Sequence, residues 1–411
     1  MQNNLLAFER IEALNRGAAT IDYPAKITVN LNDIRKNTAE MCRLAGKAKV
    51  LGCVKADAYG HGLMPSALAT ITGGATYLGV AQPNEAIKLR ESGVIDDKIP
   101  ILAWLITSKT DFMKLLKLNI EVAIHSKQQL EAVINVAKAL KTVANVHIAI
   151  DTGFGRGGWT IKMLDEHISD IKSAVQESFI KVRGIYSHLA FAKIEEHPMN
   201  AQQTATFESV LRKFDDLQID YGLRHLSATA GLTNKTAPIY DMVRIGAGIY
   251  GLNSETLAKN LSHIELHQAM RLESETALIK DLPKSHGISY EHIYKTTADT
   301  KIAVIPVGYA DGIPRSLSSI NRNGTQILVG KTLAPIVGRV CMDQFMLDLG
   351  KDSKAKVGDN VTIFGKGLGI EHLEPTPEYI ATMANMHVNE LLTQLGSNKI
   401  PKFYEDFGFL K

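Results

Sequence analysis

Residues 49–62 read KVLGCVKADAYGHG. An apolar run ends on Lys55, and the chain then turns through Tyr59, Gly60, His61 and Gly62. A short apolar run without polar alternation is the pattern of a strand buried on both faces, as in a parallel sheet. An ammonium group at the end of such a strand calls for a reason. In a closed βα barrel that end opens on the mouth where the fold carries its chemistry. An amine there can act as a nucleophile or a Schiff-base former. The Gly60–Gly62 turn could bring the Tyr59 phenol and backbone N–H groups near a phosphate. His61 reads only as packing or a turn hydrogen bond.

The same rhythm extends to both sides. A first strand, KITVNL (26–31), precedes a helix, NDIRKNTAEMCRLAG (32–46), with an Asn or Asp cap and a closing glycine. Further short apolar runs follow at 77–81, 99–105, 121–124, 146–151, 182–188, 225–231 and 242–252, with helical patterns between them. Strands alternating with helices over this length predict a (βα)8 TIM-like barrel for residues 24–255. The rival is an open doubly wound sheet, but its first strand-to-helix turn would carry GxGxxG, and none is present. Residues 1–23 read as an amphipathic helix and linker, an N-terminal arm. After about Leu252 the runs become alternating and glycine-bounded, as in KIAVIPVGYADG (301–312) and NVTIFG (360–365). Residues 256–411 therefore read as a mainly β domain, with a helix returning at 377–395.

With 411 residues the chain is long enough for two domains. A net charge of +3, without a run of five basic residues, argues against nucleic acid or an anionic membrane as partner. Three cysteines at unrelated spacings make neither a disulfide framework nor a metal knuckle, and a reducing cytoplasm fits. No stretch reads as a signal peptide or a membrane span, and no pattern predicts an essential metal.

Other strand ends carry further candidates. In DTGFGRGGW (151–159), Arg156 is a fixed cation suited to a carboxylate or phenolate. YSHLAFA (186–192) puts His188 at a strand end, although a lone histidine is more often structural. HLSATAG (225–231) offers the hydroxyls of Ser227 and Thr229. MVRIGAGIYG (242–251) adds Arg244 and the backbone of Gly246, Ala247 and Gly248. A hydroxyl with glycine N–H groups after the last barrel strands suits a phosphate, and close packing explains the same glycines equally well. In the β domain, Tyr309 and Asp311 sit in a glycine-flanked turn, and Met342 and Asp343 follow Cys341.

Taken in order, VKADAYGHG, GVAQPNEAIKLRESG, DTGFGRGGW, GIYSHLAFA, VRIGAGIYGL, VGYADGIPR and GRVCMDQ resemble the motifs of the alanine racemases, from about Lys26 to the β domain. The resemblance implies a pyridoxal 5'-phosphate enzyme, a homodimer with shared active sites, that interconverts L- and D-alanine and supplies D-alanine for peptidoglycan. It implies that Lys55 holds the cofactor and is one of two bases. The opposing base is then Tyr309 from the other subunit. Tyr59, Thr229, Gly246 and Ala247 match phosphate-binding positions, His188 the imidazole near the ring, and Arg244 the arginine at the pyridine nitrogen. Arg156 and Met342, with Asp343 beside it, match the region that holds the substrate carboxylate. A broad-specificity amino-acid racemase is the alternative. A decarboxylase would normally carry an acidic group where Arg244 stands, and a non-catalytic carrier of this barrel type would lack the β domain.

Three positions depart from the family pattern. Ala149 stands where many relatives carry a carbamylated lysine that orients the arginine, so Arg156 needs another support, such as an anion. Ala228–Thr229 replaces an asparagine–serine pair. Asn398 falls nearest to a tyrosine that often gates the entry.

Overall fold

In the computed structural model the described residues are 2–252, 264–366, 374–396 and 399–411. The expected boundary near residue 255, and Asn398, lie outside them. Two compact units result: Met1–Asn4, Ile34–Ala58 and Ser66–Leu266 in the first; Leu5–Asp33, Tyr59–Pro65 and His267–Lys411 in the second.

The first strand, β1 (Ala25–Asn30), is the point of difference from the sequence reading. It was expected to open the barrel, within residues 24–255. Instead it pairs antiparallel with β10 (Met270–Glu275) and parallel with β19 (Lys402–Glu405), in the second unit. A short apolar strand fits either environment, and its partners lie hundreds of residues away, so the local pattern does not choose between them.

The first unit holds eight parallel strands: β2 (Lys49–Cys53), β3 (Tyr77–Val80), β4 (Ile101–Ala103), β5 (Glu121–Ile124), β6 (Ala144–Ala149), β7 (Ile180–Tyr186), β8 (Leu223–His225) and β9 (Met242–Ile245). They pair in chain order, and β9 lies beside β2. Backbone bonds from Asp241 N to Arg224 O (3.1 Å) and from Arg244 N to Ser227 O (3.0 Å) bring β9 toward β8 and nearly close the barrel. Helices lie between successive strands as the periodicity predicts. Two begin on hydroxyl caps: Ser126 accepts from Gln129 N, and Thr160 from Met163 N.

The second unit is mainly strand. A six-stranded sheet runs β16-β15-β18-β10-β1-β19, where β15 is Gln326–Val329, β16 Thr332–Pro335 and β18 Asn360–Phe364. A three-stranded sheet joins β11 (Leu278–Leu282), β14 (Thr300–Ile305) and β17 (Phe345–Asp348). A two-stranded ribbon of β12 (Gly287–Ile288) and β13 (Tyr294–Lys295) completes the strands. The helix expected over 377–395 is two helices, Pro377–Met383 and Val388–Gly396, broken where Asn385 takes φ 54°. The N-terminal arm is an 18-residue helix, Gln2–Ala19. Asn15 ties it to the last strand, donating to Tyr404 O and accepting from Tyr404 N, both at 2.8 Å.

The turn after Lys55 is more unusual than its glycines suggest. Ala56, Asp57, Ala58 and Tyr59 all take positive φ, between 52° and 56°, forming a left-handed turn of non-glycine residues. Such residues cost about 1–2 kcal/mol each, so the surroundings must hold the turn in place. Gly60 (φ +85°) and Gly62 (φ +95°) continue the positive-φ path within the second unit. A Cβ on Gly60 would strike the Leu392 carbonyl and lie 3.1 Å from Gly396 Cα. His61 is fully buried, its Nδ1 3.1 Å from Tyr59 O.

Gly60→Ala combines backbone strain with a collision and should lower stability by about 3 kcal/mol in urea unfolding. Gly93 also has positive φ (+68°) but faces open space, so Gly93→Ala should cost only about 1 kcal/mol.

Candidate active site

At the mouth of the barrel, Lys55 stands two residues beyond the end of β2, and its Nζ lies 5.8 Å from the Trp104 ring centroid. Arg244 projects from β9 and is buried. A buried guanidinium has five N–H groups to satisfy. Arg244 donates to the carbonyls of Ser187 (2.7 Å), His225 (2.8 Å) and Leu226 (3.1 Å), and to His188 Nδ1 (3.1 Å). Its guanidinium also stands 5.2 Å from the Tyr186 ring centroid. Burial pushes its pKa down, but an arginine starts so high that it keeps its charge at neutral pH.

The two histidines beside it are neutral for the same reason. Burial first, then the cations of Arg244, Arg156 and Lys55, push His188 down to about 3 from its ordinary 6.5. Burial, with His147 and Arg244, holds His225 well below its ordinary value. Neutrality assigns the tautomers along a buried column. His225 Nδ1 faces Arg244 Nη1 at 3.4 Å and accepts, so its proton sits on Nε2. Nε2 then donates to His147 Nδ1 (3.0 Å), and His147 Nε2 donates to Glu121 Oε2 (2.7 Å). Arg183 Nε closes the column on Glu121 Oε1 (3.3 Å). Glu121, His147, His225 and Tyr186 were not identified from the sequence. The signal was the presence of polar or charged residues within barrel strands, such as Glu121 in the otherwise apolar EVAI (121–124).

Thr229 begins the short helix Thr229–Thr233 after β8. Its Oγ1 accepts from Gly246 N (3.2 Å) and Gly248 N (3.5 Å), joining the two glycine-rich segments. A Cβ on Gly248 would lie 2.8 Å from Met41 Sδ and 3.0 Å from Thr229 Cγ2, so close packing explains this glycine. Ala247, between the two glycines, opens the 3-10 turn Ala247–Tyr250. Tyr59 ends the left-handed turn and is buried.

Arg156 lies in the loop after β6. Asp151 Oδ1 gathers the loop by accepting from the N–H groups of Gly153 (2.9 Å), Phe154 (2.9 Å) and Gly155 (3.1 Å). The Arg156 guanidinium stacks 4.3 Å from the Phe154 ring, and that ring meets His188 edge-on at 5.2 Å. Phe154 therefore packs against the arginine.

In the second unit, Tyr309 and Met342 are neighbours. Tyr309 N donates to Cys341 O (3.0 Å) and Ala310 N to Met342 O (2.9 Å). Their side chains point outward, 41% and 55% exposed. Asp311 is buried beneath the turn, and its Oδ2 accepts from Gly308 N (2.7 Å). Asp343 is exposed and lies 3.7 Å from Lys399 Nζ.

Comparison with known proteins gives this arrangement a family. The alanine racemase N-terminal domain matches residues 29–254, and the alanine racemase C-terminal domain residues 269–404. The alanine racemase of Beutenbergia cavernae is 38% identical over 385 residues, 93% of this chain and 98% of its own. The solved alanine racemase from Streptomyces coelicolor A3(2) superposes with a TM-score of 0.88 at 32% identity, covering 93% of this chain and 98% of that one. A structure of the Bartonella henselae alanine racemase with covalently bound pyridoxal phosphate matches with a TM-score of 0.81 at 25% identity, covering 93% and 100%.

The chain belongs to the alanine racemase family.

As an alanine racemase it is an isomerase, and the barrel and β domain are those of the family. Among its described residues no helix is long and apolar enough to cross a membrane.

The neutral histidines predict that the stability of this racemase falls in acid. His188 titrates near 6.5 when unfolded and near 3 when folded. Between those values the unfolded chain holds a proton that the folded chain refuses, so stability falls as pH drops through 6.5 toward 3. His225 acts in the same direction. Urea midpoints of the protein without added cofactor should fall between about pH 7 and about pH 4. His188→Gln should flatten that dependence.

Proposed function

We propose that this chain interconverts L- and D-alanine with pyridoxal 5'-phosphate, as a homodimer whose active sites combine residues of both subunits. The observation that carries the reading is Arg244, a buried cation held by three carbonyls and a neutral imidazole. The donor set fits the cofactor end by end. Lys55 supplies an amine for the aldehyde, and Arg244 a hydrogen-bond donor for the pyridine nitrogen. The Thr229 hydroxyl, the Tyr59 phenol and the N–H groups of Gly246 and Ala247 suit the phosphate. The covalently bound cofactor of the Bartonella henselae relative supports the same assignment.

When bound, pyridoxal phosphate supplies an electron-withdrawing ring that stabilises negative charge at the substrate α-carbon. Arg244 cannot readily give up a proton. Beside a bound cofactor it would leave the ring nitrogen unprotonated, which would moderate that withdrawal and limit side reactions such as transamination. His188, neutral across the physiological range, adds no competing charge beside it. Arg156, with the Met342 region of the partner subunit, holds the substrate carboxylate and orients the α-hydrogen.

Racemisation takes a proton from one face of the α-carbon and returns one to the other. One base would have to cross the substrate plane, whereas two fixed bases need not. Lys55 serves one face, and Tyr309 of the partner subunit the other. The exposure of Tyr309 and Met342 on their own unit fits a pair that reaches into a second copy. Set in the cytoplasm, such an enzyme would supply D-alanine for peptidoglycan. Ala149 favours a second reading, a broader amino-acid racemase, because the lysine that orients the arginine in many relatives is absent.

Chiral chromatography after incubation with L-alanine and a panel of L-amino acids should show D-alanine as the dominant product. Comparable conversion of several substrates would favour the broader racemase, and no D-product would overturn both readings. The visible absorbance of the bound cofactor should vanish in Lys55→Ala. Tyr309→Phe should keep it. Racemisation must then slow equally in both directions, because the enantiomers have equal energy in solution. Hydrogen exchange with retained configuration is not so bound. In deuterated water, Tyr309→Phe should lose exchange from one enantiomer by on the order of 10²- to 10⁴-fold. It should keep exchange from the other, where Lys55 acts.

A further inference from the structure

We infer that Tyr23, on the segment between the N-terminal helix and β1, is a positioning residue for Tyr309, acting through Asp311 and Lys399. The inference rests on Tyr309 serving as a base, as proposed above.

Asp311 is the third residue of the 3-10 turn Tyr309–Asp311 and is 1% exposed. A carboxylate buried to that degree is tolerated only when its oxygens are well supplied with donors. Oδ2 takes the N–H of Gly308, the residue before Tyr309, at 2.7 Å. Oδ1 takes the Tyr23 hydroxyl, and Lys399 Nζ lies 3.3 Å from the same oxygen. Three donors from three distant parts of the sequence thus converge on the carboxylate that caps the turn bearing Tyr309.

The same lysine reaches further. Lys399 Nζ lies 3.7 Å from Asp343 Oδ1, next to Met342, and 5.7 Å from the Tyr23 ring centroid. It therefore links the turn of Tyr309 to the loop of Met342, the two segments already joined by the backbone bonds to Cys341 O and Met342 O. Lys399 is half exposed, and an exposed ion pair of this kind contributes little alone. The Tyr23 hydroxyl is the firmer leg. Burial, and then the Asp311 carboxylate, push its pKa up to about 12, so it remains a donor throughout the neutral range.

The Tyr309 side chain is 41% exposed. Its direction follows from the backbone of residues 308–312, which Asp311 caps. Removing the Tyr23 hydroxyl leaves a buried carboxylate short of a donor, and the turn that carries it must adjust. A displacement of a fraction of an ångström at a base is enough to slow proton transfer.

The test uses the holoenzyme and follows α-hydrogen exchange from each enantiomer separately in deuterated water. Tyr23→Phe should keep the cofactor absorbance. Exchange from the enantiomer that Tyr309→Phe silences should fall about tenfold, and exchange from the other should be unchanged. Amide hydrogen exchange across residues 308–312, read by mass spectrometry, should become faster. Lys399→Met, at a more exposed position, should shift exchange in the same direction by a smaller factor, and it decides alone if Tyr23→Phe does not fold. An equal fall for both enantiomers, or exchange like the wild type, overturns the positioning role. Unchanged exchange in Tyr309→Phe itself would overturn the two-base reading and this inference with it. A silenced enantiomer in Tyr309→Phe with wild-type behaviour in Tyr23→Phe would overturn the inference alone.

Discussion

Burying one guanidinium constrains most of the barrel interior. Arg244 sits in β9 with water excluded, so its N–H groups need acceptors from the protein. The carbonyls of Ser187, His225 and Leu226 supply them, at the positions where β7 and β8 give way to their loops. The charge also bears on the state of its neighbours. Burial first, and then the charges around them including this cation, keep His188 and His225 neutral, and each presents a lone pair to the arginine. Once His225 accepts on one nitrogen it must donate on the other, and that requirement passes through His147 to Glu121. Glu121 therefore pairs with a donor at the far end of a chain of imidazoles that begins at the arginine.

The left-handed turn after Lys55 applies a similar logic to backbone. Four non-glycine residues in a disfavoured conformation cannot hold themselves there. Ala58 N bonds back to Val54 O at 2.9 Å across the turn, and Asp57 N bonds to Glu85 Oε1 at 3.2 Å. Gly60 and Gly62 then let the chain pass where a side chain would collide with Leu392 and Tyr404. The glycines flanking His61 are thus explained by close packing within the second unit. The strain falls on the residues between Lys55 and Gly60, where a small set of side chains has to be held in fixed directions.

Much of this was legible in the sequence. The continuous apolar runs marked buried parallel strands; Lys55, His188 and Thr229 lie just beyond strand ends, Arg244 lies near the end of β9, and Arg156 lies in the loop after β6. Other features were hidden for physical reasons. β1 reads the same whether it joins a barrel or a mixed sheet, because the difference lies in partners about 240 and 375 residues away, and short apolar strands carry no address. The left-handed turn was invisible because Ala56, Asp57 and Ala58 are not residues that announce positive φ. Glu121, His147 and His225 each look like an isolated polar residue, and only closure of the barrel stacks them into a column. Tyr23 lay in a segment that read as a linker, and its partners come from residues 311 and 399.

The two groups of candidate site residues are held by different means, and this bears on how each tolerates change. Arg244, His188 and Thr229 are buried or nearly so, and side-chain hydrogen bonds fix them within the barrel. Replacing one leaves a specific buried partner unsatisfied, so damage there is local and large. Tyr309 and Met342 are exposed on their own unit, and their orientation is inherited from turn and loop backbones tied to one another. For these residues a conservative side-chain change leaves the scaffold intact, whereas a change at Gly308 would disturb the chain itself, since any Cβ there would meet the Cys341 and Met342 carbonyls. In the proposed two-base scheme Tyr309 belongs to the second group, and the weaker constraint sets the limit on its accuracy. That limit lies with the exposed tyrosine, which is where the buried carboxylate of Asp311 and its three donors are found.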